Sequence, residues 1–91
     1  MLKIKVLGSG CYNCYVLEQT VAGALEILMG EDDSIQATMQ HVEDPMEIAQ
    51  YPILFTPGLV VNEKLVCAGR IPKEEEIIEW LRAGLERQAV S

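Results

Sequence analysis

Leu2-Lys3-Ile4-Lys5-Val6-Leu7-Gly8-Ser9-Gly10-Cys11-Tyr12-Asn13-Cys14 sets the architecture of this chain. Its first six residues alternate, with Leu2, Ile4 and Val6 on one face and Lys3 and Lys5 on the other, which is the period of a strand. Gly8-Ser9-Gly10 breaks that pattern as a tight loop. A helix is then expected from about Cys11 to about Met29, because Cys14, Leu17, Val21, Leu25 and Leu28 recur at helical steps and form one apolar stripe. Gly30 follows as a C-terminal stop, and Glu31-Asp32-Asp33 as a solvated loop.

Beyond the loop, Ile35 to His41 alternates again and reads as a second strand. Asp44-Pro45 has the form of a helix cap with proline in the first turn, so a short helix is expected over Pro45 to Gln50, with Tyr51 to Phe55 irregular. Gly58-Leu59-Val60-Val61 and Leu65-Val66-Cys67-Ala68, split by Asn62-Glu63-Lys64, give a hairpin. Gly69 ends it, and Pro72 opens a last helix to about Arg87, lined by Ile77, Trp80, Leu81 and Leu85. Glu74-Glu75-Glu76 suit the positive end of that helix. The order βαβαββα implies an α/β fold: a parallel pair with a right-handed crossover, two antiparallel strands, and helices on both faces of a four-stranded mixed sheet.

The chain has 91 residues, 49% of them apolar, enough for one domain over residues 1–91 with its own aliphatic core. The net charge of −7 argues against nucleic acid and anionic membrane partners, both of which call for a basic face. No apolar run approaches the ~20 residues that span a bilayer, and the alternating N-terminus lacks the pattern of a secretory signal, so a cytoplasmic location is expected. Three cysteines in such a chain do not make a disulfide scaffold.

Two of those cysteines carry chemistry by their spacing. Cys11 falls at the expected helix N-terminus, where free backbone N–H groups and the helix dipole favour a thiolate. Cys14 lies one turn in, on the apolar stripe. The asymmetry assigns Cys11 the attacking role and Cys14 the resolving one. The same C-x-x-C spacing also serves as half of a metal site, although the remaining donors, Cys67 and His41, stand far apart in the chain. Cys67 reads as a small buried hydrophobe, His41 as a surface or strand-edge histidine, and Trp80 as core. Thr56-Pro57 precedes a strand, where proline either starts the strand in trans or turns the backbone through a cis bond.

Together these features resemble the thioredoxin superfamily over nearly the whole chain, in particular its short, glutaredoxin-sized redox-active disulfide proteins. The segments Gly8-Ser9-Gly10-Cys11-Tyr12-Asn13-Cys14, Thr56-Pro57-Gly58-Leu59-Val60-Val61-Asn62 and Gly69-Arg70-Ile71-Pro72 carry the resemblance. It implies a thioredoxin-like fold in which Cys11 is the nucleophile, Cys14 the resolving thiol and Pro57 a cis-proline packed against the pair. Tyr12 and Asn13, inside the motif, either contact substrate or are exposed filler, and a cis bond at Pro57 would let Thr56 pair with an extended substrate segment. The implied activity is dithiol–disulfide exchange with protein disulfides, needing no cofactor in the chain but an external reductase. Unlike thioredoxin itself, this sequence has Gly10 before the first cysteine and Tyr12-Asn13 between the two, and places Lys5 where thioredoxin keeps a buried acid. The alternative is a soluble copper- or mercury-binding module, a class with βαββαβ order that ends on a strand.

Overall fold

The structure, a computed structural model, describes residues 2–8, 12–53 and 55–90, with side chains in the last helix described to residue 85. The elements are β1 (Leu2–Leu7), α1 (Tyr12–Glu31), β2 (Ala37–Val42), α2 (Pro45–Ile48), β3 (Gly58–Val61), β4 (Lys64–Ala68) and α3 (Glu74–Val90). They form the expected thioredoxin-like α/β arrangement around one four-stranded sheet of order β2-β1-β3-β4. β1 pairs with β2 in parallel, while β3 is antiparallel to both β1 and β4.

Strand alternation divides the side chains between two unequal layers. Leu2, Ile4 and Val6 of β1 join Leu59 and Val61 of β3 beneath α1 and α3, with Leu17, Val21, Ala24 and Leu28 from α1 and Ile77 and Leu81 from α3. Full burial of each such Leu, Ile or Val contributes about 1.5–3 kcal/mol, so this layer dominates stability. The opposite face holds a smaller cluster of Leu7, Val42 and Val60, covered by Ile48, Tyr51, Ile53 and Leu65. Helices thus cover both faces, but on the second face the cover is the single turn α2 and its following loop.

Several boundaries differ from expectation. Gly30 does not stop α1, which runs on to Glu31. The exit comes at Asp32, whose carboxylate accepts hydrogen bonds from the Ser34 N–H and hydroxyl, and Arg82 of α3 grips Glu31 through both carboxylate oxygens at 2.7 Å. Glu74 lies over Gly23 and Arg82 reaches Glu31, so α1 and α3 run side by side in the same direction. Ala24 rather than Leu25 completes the fully buried stripe, because Leu25 is only partly covered. β2 is an edge strand shifted to 37–42, and Val42 turns into the smaller cluster. α2 stops at Ile48, short of Gln50, after Asp44 caps it by accepting from the Met46 N–H. α3 begins at Glu74, with Pro72 buried just before it.

The hairpin turn is Asn62-Glu63, both residues at positive φ, 50° and 68°, as a two-residue turn matching strand twist requires. Asn62 makes this costly backbone useful: its Oδ1 accepts from the Lys3 N–H and its Nδ2 donates to the Gly84 carbonyl, tying turn, sheet and α3 together. Lys5 is half-buried under Tyr51 and Glu63, its Nζ 3.1 Å from the Tyr51 hydroxyl and 3.3 Å from Glu63 Oε1. The hydrogen bond to Tyr51, followed by that to Glu63, raises the Lys5 ammonium above its ordinary range. Among the described residues, no helix is long and apolar enough to cross a membrane.

Candidate functional site

Parallel pairing brings the C-terminal ends of β1 and β2 to one edge of the sheet, and antiparallel β3 starts there. Gly8 leaves β1 at that edge, its N–H donating to the Val42 carbonyl at 3.0 Å. In open α/β sheets ligand sites form outside the carboxyl ends of strands where the connections diverge. Here β1 connects outward to β2 through α1, with β3 on its other side.

Cys14 occupies the first turn of α1 and is fully buried. A Cβ added to Gly8 would fall on the Cys14 sulfur and come 3.7 Å from the Thr56 Cβ. The Gly8 backbone, Cys14 and Thr56 therefore meet at one point, which only a glycine at position 8 leaves open. The Thr56–Pro57 peptide is cis, and Pro57 is buried while Thr56 is exposed. The Pro57 carbonyl accepts from the Gly69 N–H at 2.9 Å, binding this loop to the β4–α3 connection. Gly69 adopts φ +78° with the Phe55 Cβ against it, so a side chain there would be strained and crowded.

The structure brings the sequence candidates Cys14 and Thr56 together at Gly8, with Pro57 joined to Thr56 through the cis bond. Tyr12 and Asn13 stand exposed in the first turn of α1, Tyr12 at 77%. Cys11 lies outside the described residues, as do Ser9 and Gly10 of the expected loop. In the chain it directly precedes Tyr12, the first residue of a helix with no acidic residue in its first turn. Cys67 is buried on β4, as expected, with its thiol toward the Arg70 carbonyl at 3.8 Å. Burial pushes that thiol above its ordinary range, and Arg70 opposes the shift only in part.

Sequence reading missed three contributors. Phe55, assigned to an irregular stretch, is 71% exposed beside Thr56 and flanks Gly69. Its position next to the Thr-Pro pair was the available signal. His41 is not a bare edge histidine: its Nδ1 lies 2.9 Å from Glu18 Oε1 and its Nε2 3.0 Å from the Gly8 carbonyl. Glu18 stands four residues after Cys14, on the same helix face, a spacing readable in the sequence.

A parallel βαβ unit, an antiparallel hairpin and a closing helix, with a first-turn cysteine beside a cis Thr-Pro bond, define the thioredoxin-like class of α/β proteins. The thioredoxin domain family model matches residues 2–82, and the chain belongs to that family. It is 36% identical to a thioredoxin of Methanocaldococcus jannaschii over 86 residues, 94% of this chain and 93% of that protein. It is also 32% identical to a thioredoxin of Methanothermobacter thermautotrophicus over 77 residues, 85% of this chain and 94% of the relative. The βαββαβ order of the metal-carrier alternative does not match this chain, which places α2 between β2 and β3 and has no strand after α3 among the described residues.

Proposed function

We propose that the chain is a thiol–disulfide oxidoreductase that reduces protein disulfides through Cys11 and Cys14, working as one thioredoxin-like domain in the cytoplasm. The observation that carries this reading is the burial of Cys14 in the first turn of α1, its sulfur against Gly8 and next to Thr56. Family membership and the two thioredoxin relatives support it.

In this mechanism the Cys11 thiolate, favoured by the uncompensated positive end of α1, attacks one sulfur of a substrate disulfide. A Cys11–substrate disulfide forms, and the other substrate sulfur leaves as a thiolate that takes a proton from water. Cys14 then loses its proton to solvent and attacks the Cys11 sulfur, so that the Cys11–Cys14 bond forms as the substrate bond breaks. The substrate gains two electrons and two protons, and an external reductase restores the dithiol. Tyr12, Asn13, Thr56 and Pro57 form the substrate-facing surface, with Phe55 extending it.

Reduction of insulin by dithiothreitol, followed by turbidity, tests the reading. The wild-type chain should accelerate it, and Cys11→Ser should fall to the uncatalysed rate. A wild-type chain without effect, or a Cys11→Ser variant as active as wild type, would overturn it.

A further inference from the structure

The hydrogen bonds around His41 set its protons. The Gly8 carbonyl can only accept, so Nε2 must carry a hydrogen. Nδ1 then faces Glu18 Oε1 at 2.9 Å. A neutral imidazole would direct a lone pair at a carboxylate there, and two acceptors do not bond. The contact therefore contains a second proton, carried by the ring or by the carboxyl. Three elements converge on this imidazole: α1 supplies Glu18, the end of β1 supplies the Gly8 carbonyl, and the chain just after β2 supplies Glu43, whose Oε1 lies 4.0 Å from Nδ1. The same Gly8 residue meets the Cys14 sulfur at the position a Cβ would occupy.

We propose that His41 and Glu18 are positioning residues for Cys14, holding the Gly8 peptide against its sulfur and setting the local charge through one shared proton. The role rests on the thiol–disulfide reading above, but the pair takes no part in the bond exchange. With its proton, the pair is neutral overall. Without it, the pair carries one negative charge a helical turn from Cys14, with Glu43 adding to the same field. A nearby negative charge disfavours a thiolate. Ionisation of Cys14, the step that precedes its attack on Cys11, is thereby linked to the pair.

Two substitutions pull in opposite directions. Glu18→Gln supplies an amide N–H to Nδ1 while Nε2–H still donates to Gly8, so the chain of hydrogen bonds survives without the proton or the charge. His41→Gln keeps a donor for Gly8 but leaves Glu18 charged. Each is introduced into the full chain carrying Cys11→Ser and Cys67→Ala, which leaves Cys14 as the sole thiol. Its ionisation is followed by the ultraviolet absorbance of the thiolate against pH, a readout that needs no exchange activity. The Cys14 ionisation constant in Glu18→Gln should exceed that in His41→Gln by about three- to tenfold, the effect of one charge at this range. The parent with both residues intact should lie between the two or coincide with one. Circular dichroism confirms that both variants fold, and ¹⁵N signals of the parent imidazole should show Nε2 protonated. Coincident titrations of the two variants, or an imidazole whose Nε2 lacks hydrogen, would overturn the inference even if insulin reduction succeeds. Opposed titrations in a chain that does not reduce insulin would sustain the linkage and overturn only the oxidoreductase reading.

Discussion

Cys14 and Cys67 are both withdrawn from solvent, at 0% and 9% exposure, yet they occupy different chemical settings. Cys14 begins a helix and abuts two irregular backbone segments, Gly8 and the Thr56–Pro57 loop. Cys67 sits in strand β4 next to a bulge at Val66, opposite Leu59 and among the side chains of the main core. β3 lies between the strand that ends at Gly8 and the strand that carries Cys67. Burial alone therefore does not mark a redox thiol. Under the proposed function the two differ in the element that holds them: Cys14 lies in the first turn of a helix against Gly8, whereas Cys67 lies in a paired strand within the main core.

Removal of either sulfur tests that contrast most strongly. Cys14→Ser should lower insulin turnover by on the order of a hundredfold or more and, when mixed with insulin in the absence of dithiothreitol, accumulate a Cys11–substrate disulfide, because no second protein thiol resolves it. Cys67→Ser should change turnover less than about twofold, since it removes no attacking or resolving group. Turnover and non-reducing gels read both. Equal losses at the two positions would erase the distinction.

The surroundings of Cys14 give the next effect. Gly8→Ala places a methyl on the Cys14 sulfur, and relieving the overlap should cost about 1–3 kcal/mol in urea unfolding. The same variant should slow exchange in the native protein, because the sulfur must shift. A stable, fully active Gly8→Ala would show that the Gly8–Cys14 contact is unimportant.

The setting of Cys67 gives the smallest effect, visible only at alkaline pH. Burial raises its thiol above the ordinary value of about 9, so the folded chain holds the proton more tightly than the unfolded one. Below pH 9 both states are protonated and stability is fully present. As pH rises through 9 toward the raised folded value, the unfolded state loses its proton first and stability falls. Unfolding midpoints in urea should decline over that window in wild type and decline less in Cys67→Ala, whose neutral-pH stability should drop by about 1 kcal/mol from the lost packing.

Much of this organisation was legible in the residues. The period-two pattern of Leu2 to Leu7 and the three-four stripe from Cys14 to Leu28 depend on nearest-neighbour geometry: β1 formed as read, and α1 formed with Ala24 in place of Leu25 on its fully buried stripe. Gly30 misled because a glycine only permits a helix to end, and here the Asp32–Ser34 turn and the Arg82 clasp decide where it does. β2 lost its clean alternation because an edge strand has one neighbour and buries little. The site was readable where adjacent residues carry it, as at Cys14 and Thr56-Pro57. It was not readable where it depends on register: His41 reaches Gly8 because β2 runs parallel to β1 with Val6 opposite His41, which no local pattern encodes.

Redox equilibration of the full chain in dithiothreitol buffers, quenched by alkylation and read by peptide mass spectrometry, tests the central assignment most directly. A single two-electron transition that joins Cys11 to Cys14, with Cys67 alkylated as a thiol throughout, is the expected result. A disulfide that includes Cys67, or a Cys11/Cys14 pair that stays reduced in every buffer, would contradict the assignment.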